Sequence, residues 1–113
     1  MENCLFCNMI NKKIPTTIVF EDDDMIIIKD IAPKAKNHFL LIPKSHFKLL
    51  EQMDEKQSQM LARCLKKIPT LTKLLNLENG YRLVINQGDD AGQTVFHLHI
   101  HILSGQKMDW NPA

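Results

Sequence analysis

With 113 residues the chain has room for one domain, expected to span residues 1–113, and its 44% hydrophobic content suits a packed core. A formal net charge of +1 supplies no overall field for nucleic acid or a membrane surface. No apolar run reaches the roughly 18 residues that a membrane span needs, and three cysteines, an odd number, do not make a disulfide framework. Cys4-Leu5-Phe6-Cys7 is followed almost at once by Asn8, Asn11, Lys12 and Lys13, which is not a secretory pattern. A reducing cytoplasm is the expected compartment.

Residues 5–12 read as a short helix, broken at Ile14-Pro15-Thr16. Residues 17–20 and 25–29 are β-branched or apolar runs around the acidic turn Glu21-Asp22-Asp23-Asp24. Residues 32–37 read as a loop, and 38–42 as a third strand stopped by Pro43. Ser45 is placed to cap a short helical turn through Leu50. Asp54 with Gln57 three residues on has the form of a capping box. From there Leu61, Cys64, Leu65, Ile68, Leu71 and Leu75 recur at helical spacing, predicting a helix over about 54–76 that Pro69 kinks or splits. Residues 81–86 are a fourth strand, 87–93 a polar loop with two glycines, and 94–103 the fifth and longest strand. Five strands joined by short connections and one main helix predict an α+β fold with an antiparallel sheet.

The last strand carries the chemistry. Residues 97–101 read His-Leu-His-Ile-His. Strand alternation puts His97, His99 and His101 on one face and Leu98, Ile100 and Ile102 on the other. Three imidazoles in a row pack poorly, because each buried ring nitrogen needs a partner. Such a face suits an anion, a metal, or an imidazole nucleophile. Separately, Cys4 and Cys7 have the Cys-x₂-Cys spacing of a zinc knuckle, or are two small apolar thiols at a helix start.

Residues 92–103, Gly-Gln-Thr-Val-Phe-His-Leu-His-Ile-His-Ile-Leu, resemble the signature of the histidine triad family. Ile14-Pro15, Phe20-Glu21-Asp22-Asp23, Asp30-Ile31-Ala32-Pro33, the run from His38 to His46, and Gly80 to Asn86 resemble the same family in the same order. Trp110-Asn111-Pro112 is similar to its nucleotide-binding branch. The resemblance covers nearly the whole chain. It implies a purine nucleotide phosphoramidase or related hydrolase, a homodimer with one continuous sheet, and a neutral middle histidine that attacks phosphorus to form a nucleotidyl-histidine.

On that resemblance His99 is the nucleophile; a free imidazole, with a reference pKa of about 6.5, is largely neutral at pH 7. His101, one pleat along at about 6.5–7 Å, is the phosphate-contacting histidine, expected to stabilise developing charge as a protonated imidazole. The His97 carbonyl is implied to hold the nucleophile's other ring nitrogen. Gly92, Gln93 and Thr94 form the phosphate loop, or an ordinary hairpin connection. Thr94 stands where nucleotide-binding members often carry serine and keeps a hydroxyl for the leaving group. Asp30 is implied to accept from the ribose hydroxyls, Ile31 to lie against base or sugar, and Asn86 to contact phosphate. Cys4, Cys7, His46 and His97 are implied to hold a structural zinc, as in bacterial-type members with the knuckle. His46 would then not contact phosphate. Trp110 either reaches a partner subunit's site or packs on its own subunit.

The leading expectation is hydrolysis of the P–N bond of a purine nucleoside 5′-monophosphoramidate, with no nucleic-acid or membrane partner. Two alternatives stay open: a dinucleoside polyphosphate hydrolase, although that branch commonly has proline where this chain has Phe96, and a nucleotide-binding module with incidental activity.

Overall fold

A computed structural model describes residues 3–109. Helix α1 spans Leu5–Ile10, and strands β1 (Ile18–Glu21), β2 (Met25–Lys29) and β3 (Asn37–Pro43) follow. Helix α2 is Glu55–Lys67, and β4 (Tyr81–Val84) and β5 (Ile100–Ser104) complete the chain. The expected α+β fold is present: one five-stranded antiparallel sheet, one long helix and a short N-terminal helix. The strand order is β1-β2-β3-β5-β4.

Each sheet face has its own cover. Met25, Ile27, Phe39, Leu41, Ile100 and Ile102 point to the face beneath α2, where Met60, Leu61 and Cys64 meet them in the main core. Ile26, Ile28, Leu40 and Ile42 point the other way, and Phe6 of α1 packs on them. Nearly unbroken apolar runs in β2 and β3 reflect this two-sided burial.

Several elements differ from the sequence reading. Asp54 caps α2 as expected, accepting from Gln57 N–H at 2.8 Å while the Gln57 side chain returns to the Asp54 N–H at 3.1 Å. The helix ends at Lys67, however, and Pro69 lies in a 3₁₀ turn over Ile68–Leu71. Proline removes the hydrogen bond that would carry the helix onward. Ser45 caps nothing; its hydroxyl accepts from the Gln57 amide, and the short turn there is a 3₁₀ segment at Leu50–Gln52.

The fifth strand is half the expected length. By register, residues 97 and 98 would pair with Lys44 and Pro43, continuing the Leu41–Ile100 pairing. Pro43 has no N–H to give, and the β3 chain turns away after it. The Pro43 carbonyl accepts from the His97 ring instead, at 2.7 Å, and Leu98 N–H bonds to the Phe47 carbonyl at 2.7 Å. The segment before Ile100 is therefore a bent approach to the strand, yet the alternation holds: Leu98, Ile100 and Ile102 enter the core beneath α2, while the His97 and His99 rings meet Phe6 on the other side and His101 lies beside His99.

Candidate functional site

Two clusters of polar side chains meet at the start of β5. The first is built on His101, which lies opposite Leu40 on β3 and Val84 on β4. Its diagonal neighbour is His38, paired with Leu103. The ring nitrogens His38 Nε2 and His101 Nδ1 are 2.9 Å apart. Asp30, directly after β2, brings Oδ2 to 3.4 Å from His38 Nε2 and 4.0 Å from His101 Nδ1, while its Oδ1 accepts from Ala32 N–H.

Hydrogen-bond polarity fixes the protons here. The Lys34 N–H donates to His38 Nδ1 at 2.9 Å, so that nitrogen carries a lone pair. A neutral His38 then holds its proton on Nε2 and donates it toward His101 Nδ1. A neutral His101 consequently carries its own proton on Nε2. Burial pushes His101 down to about 4, helped by His99 and His38 and opposed by the Asp30 carboxylate. Burial likewise lowers His38, with Asp30 opposing it and Lys34 adding to the shift. At neutral pH His101 is thus an uncharged donor, where the sequence reading expected an imidazolium.

His99 adjoins this cluster, its ring 5.2 Å from that of His101 between centroids. Its Nδ1 lies 2.8 Å from the His97 carbonyl oxygen. A carbonyl only accepts, so Nδ1 bears the proton and Nε2 of the neutral ring carries the lone pair.

The second cluster is Cys4, Cys7, His46 and His97, whose donor atoms all lie within 4.8 Å of one another. Cys4 caps α1, its sulfur accepting from Cys7 N–H at 3.3 Å, which turns both sulfurs inward. His97 is fully buried. Its Nε2–H donates to the Pro43 carbonyl, leaving the Nδ1 lone pair aimed at Cys4 Sγ (3.4 Å), Cys7 Sγ (3.6 Å) and His46 Nδ1 (3.1 Å). Cys7 Sγ is 3.3 Å from His46 Nδ1. A tetrahedral site with bonds of about 2.0–2.3 Å has edges of roughly 3.3–3.8 Å; the three sulfur–nitrogen separations fall in that range and the two imidazole nitrogens stand slightly closer, so the cluster is of zinc size. The carbonyl bonded to the far nitrogen of His97 is the outer support such ligands ordinarily have. Burial, with Cys4 beside it, pushes the Cys7 thiol up to about 11, and burial takes His97 down to about 4. A cation among the four donors removes the first penalty, because it favours the thiolate.

The other expected residues are placed as follows. Ile31 is fully exposed next to Asp30. Asn86 and Thr94 lie in the connection between β4 and β5, Asn86 half-buried and Thr94 exposed. Gly88 and Gly92 both take positive φ there, at 83° and 80°, which glycine adopts freely. Gln93 is buried and its amide ties the loop both to itself and to the chain after β3: it accepts from Gly88 N–H and donates to the Val95 and Lys48 carbonyls. A cavity of about 510 Å³ opens beside the metal-type cluster, lined by Cys4, Leu5, His46, Thr94, Val95 and Phe96 among others. Trp110 lies outside the described residues. The sequence reading gave His38 no part in the site. Its signal was a histidine opening an otherwise apolar strand.

The model of a domain family described as the scavenger mRNA decapping enzyme C-terminal binding domain matches residues 3–111. Protein HitA of Neisseria gonorrhoeae is 44% identical over 103 residues, 91% of this chain and 96% of that protein. The crystal structure of a HIT family hydrolase from Legionella pneumophila Philadelphia 1 superposes with a TM-score of 0.90 at 41% identity, covering 98% of this chain and all of that one. The chain belongs to the histidine triad family. Another member, described as a zinc-bound histidine triad family protein from Mycobacterium smegmatis, superposes with a TM-score of 0.79 at 30% identity, over 96% of this chain and 79% of that one.

Proposed function

We propose that this histidine triad protein is a purine nucleotide hydrolase that cleaves the P–N bond of nucleoside 5′-monophosphoramidates through a nucleotidyl-histidine intermediate. The observation that carries the reading is the 2.8 Å bond from His99 Nδ1–H to the His97 carbonyl, which leaves Nε2 as a lone-pair donor of fixed direction.

In this mechanism His99 Nε2 attacks the α-phosphorus and the P–N bond breaks. The amine departs with the electron pair and takes up a proton that the exposed Thr94 hydroxyl passes on from solvent. Water then attacks phosphorus and gives a proton back to solvent, the bond to His99 breaks, and the neutral imidazole is restored with release of the nucleoside monophosphate. His101 donates Nε2–H to a phosphate oxygen, and as a neutral donor it keeps its proton through the cycle. The Gly92 and Gln93 N–H groups are spent on the Asp89 and Gly88 carbonyls, which shapes the loop, so the phosphate is met by Thr94, with Gln93 bracing the loop and Asn86 beside it. Asp30 accepts from the ribose, and Ile31, exposed at the mouth, is covered by base or sugar.

Cys4, Cys7, His46 and His97 hold zinc in this reading. A closed set of four protein ligands supplies folding stability and no open coordination position. The protein works as a homodimer in the cytoplasm. The outer edge of β4 pairs with no strand among the described residues, and Tyr81, Leu83, Leu65 and Leu74 are exposed apolar groups. Joining two such edges makes the sheet continuous across the dimer.

The test compares kcat/KM for an adenosine or guanosine 5′-monophosphoramidate with that for a dinucleoside polyphosphate, in the natural chain and in His99→Ala. The phosphoramidate is expected to be the better substrate, and His99→Ala to lose turnover while still binding nucleoside monophosphate. A polyphosphate preference would reassign the substrate. Full turnover in His99→Ala would remove the mechanism. Tight nucleotide binding without turnover of either substrate would make the protein a binding module.

A further inference from the structure

We infer that Cys4 and Cys7 are an oxidative modification site: Cys4 meets a small hydroperoxide oxidant through the cavity beside it, Cys7 closes a disulfide onto Cys4, and the four-donor cluster loses its hold on a metal. The two thiols differ in access. Cys4 is half-buried and lines the cavity of about 510 Å³. Cys7 is buried, with 7% of its surface exposed. Cys4 is therefore the sulfur that an oxidant reaches, and Cys7 stands behind it. The two side chains are already turned together. Cys4 Sγ accepts from Cys7 N–H at 3.3 Å. Both sulfurs face His97 Nδ1, at 3.4 and 3.6 Å, and they lie within 4.8 Å of each other. Cys4 caps α1 with extended backbone (φ −99°, ψ 117°), and Cys7 follows within the first turn. Closing so short a loop costs little chain entropy, and rotation of the two side chains suffices to bring the sulfurs to a bond of about 2.05 Å.

The reaction balances with hydrogen peroxide as the oxidant. Cys4 Sγ attacks one peroxide oxygen, the O–O bond breaks, and hydroxide leaves to become water. Cys4 is then a sulfenic acid. Cys7 Sγ attacks the Cys4 sulfur, the S–O bond breaks, and a second hydroxide leaves to become water. The sulfur pair gives up two electrons and the peroxide takes them. The two protons that complete the waters come from the thiols, or from solvent where the cysteines are metal-bound thiolates. A thiolate is the ligating form of cysteine, so the disulfide leaves His46 and His97 as two donors where four stood. Metal release rests on the zinc reading above; closure of the disulfide does not. The third cysteine takes no part. Cys64 is fully buried beneath α2 against Met60, whereas Cys4 packs on the opposite face of the sheet. In a reducing compartment such a disulfide is transient, and the access that admits an oxidant to Cys4 also admits a thiol reductant.

The test exposes the full natural chain, reduced and supplied with zinc, to hydrogen peroxide. After quenching, free thiols are alkylated and the tryptic peptide that ends at Lys12, which carries both cysteines, is weighed. It should be lighter by two hydrogens and unalkylated, in step with release of one zinc per chain to a chromogenic chelator. Cys64 should remain alkylatable once the chain is unfolded, and dithiothreitol should restore the other two thiols. Cys7→Ser should accumulate a sulfenic acid on Cys4 that dimedone labels. Cys4→Ser should slow oxidation of Cys7 by about tenfold or more, because only the buried sulfur is left. Should either serine variant fail to fold, dimedone added to the natural chain during oxidation decides the order: label on Cys4 supports it and label on Cys7 overturns it. Sulfinic or sulfonic acid on Cys4 in place of the disulfide would overturn the proposal, as would prior loss of Cys64 or a disulfide between chains. Zinc that stays bound while the disulfide forms would overturn the release. A chain that takes up no zinc yet closes the disulfide removes the zinc reading and upholds the modification site; one that holds zinc and closes no disulfide does the reverse.

Discussion

At the scale of single residues, the proton on His101 depends on a histidine 63 positions earlier in the chain. Lys34 N–H fills His38 Nδ1, His38 Nε2–H fills His101 Nδ1, and His101 Nε2–H is left to donate. His38→Ala removes the middle link and frees His101 to hold its proton on either nitrogen. A fall in kcat of about tenfold or more is expected, within the range of positioned proton donors, and a kcat equal to that of the natural chain would contradict the relay. The same burial has a cost in acid. An unfolded histidine titrates near 6.5, whereas folded His101 is held at about 4. Between those values the unfolded chain takes up a proton that the folded chain refuses, so stability falls as pH drops from about 6.5 toward 4 and is insensitive to this group above that window. Thermal melts at about pH 7 and about pH 4.5 should differ less in His101→Gln than in the natural chain. Sequence patterning exposed His97, His99 and His101 because they are three imidazoles in five residues. His38 stayed hidden because its neighbour is chosen by the β3–β5 register, which local spacing does not encode.

At the scale of elements, α1 is six residues long, too short to persist on its own. Phe6 and the two cysteines hold it to the sheet. Cys7→Ser, or treatment with a strong chelator, is expected to lower the melting temperature and reduce bound zinc together; a melt unaffected by either would argue against a metal in the cluster. Helix α2 depends on the reciprocal Asp54–Gln57 cap, and Asp54→Ala should cost about 1 kcal/mol in denaturant unfolding. That cap was legible because both of its partners lie within one turn. The end of α2 at Lys67 was half legible: Pro69 announced a break, and whether the chain kinks or changes helix type depends on how Ile68 and Leu71 reach the core. The shortened β5 was not legible, since the alternation from Thr94 to Leu103 is sound and the strand fails only for want of a partner beyond Pro43.

At the scale of the whole molecule, two clusters that read as separate motifs share one backbone segment. His97 gives its ring to the four-donor cluster and its carbonyl to His99. The sheet order places β3 beside β5, bringing Asp30 and His38 against His101. The fold class was legible from strand count and short connections; the order of strands was not, because it rests on pairings distant in sequence. If the proposed dimer joins through the β4 edge, which is unpaired among the described residues, the natural chain should sediment as a dimer and Leu83→Lys should shift it toward monomer; a natural chain that sediments as a monomer would remove the dimer, and an unshifted dimer would remove this edge as its contact. The most direct test of the mechanism is mass analysis after rapid quench with a purine nucleoside 5′-monophosphoramidate. It should find one nucleotidyl group on His99, formed and lost at rates that match turnover. Turnover with no adduct on that histidine at any time point would contradict the account.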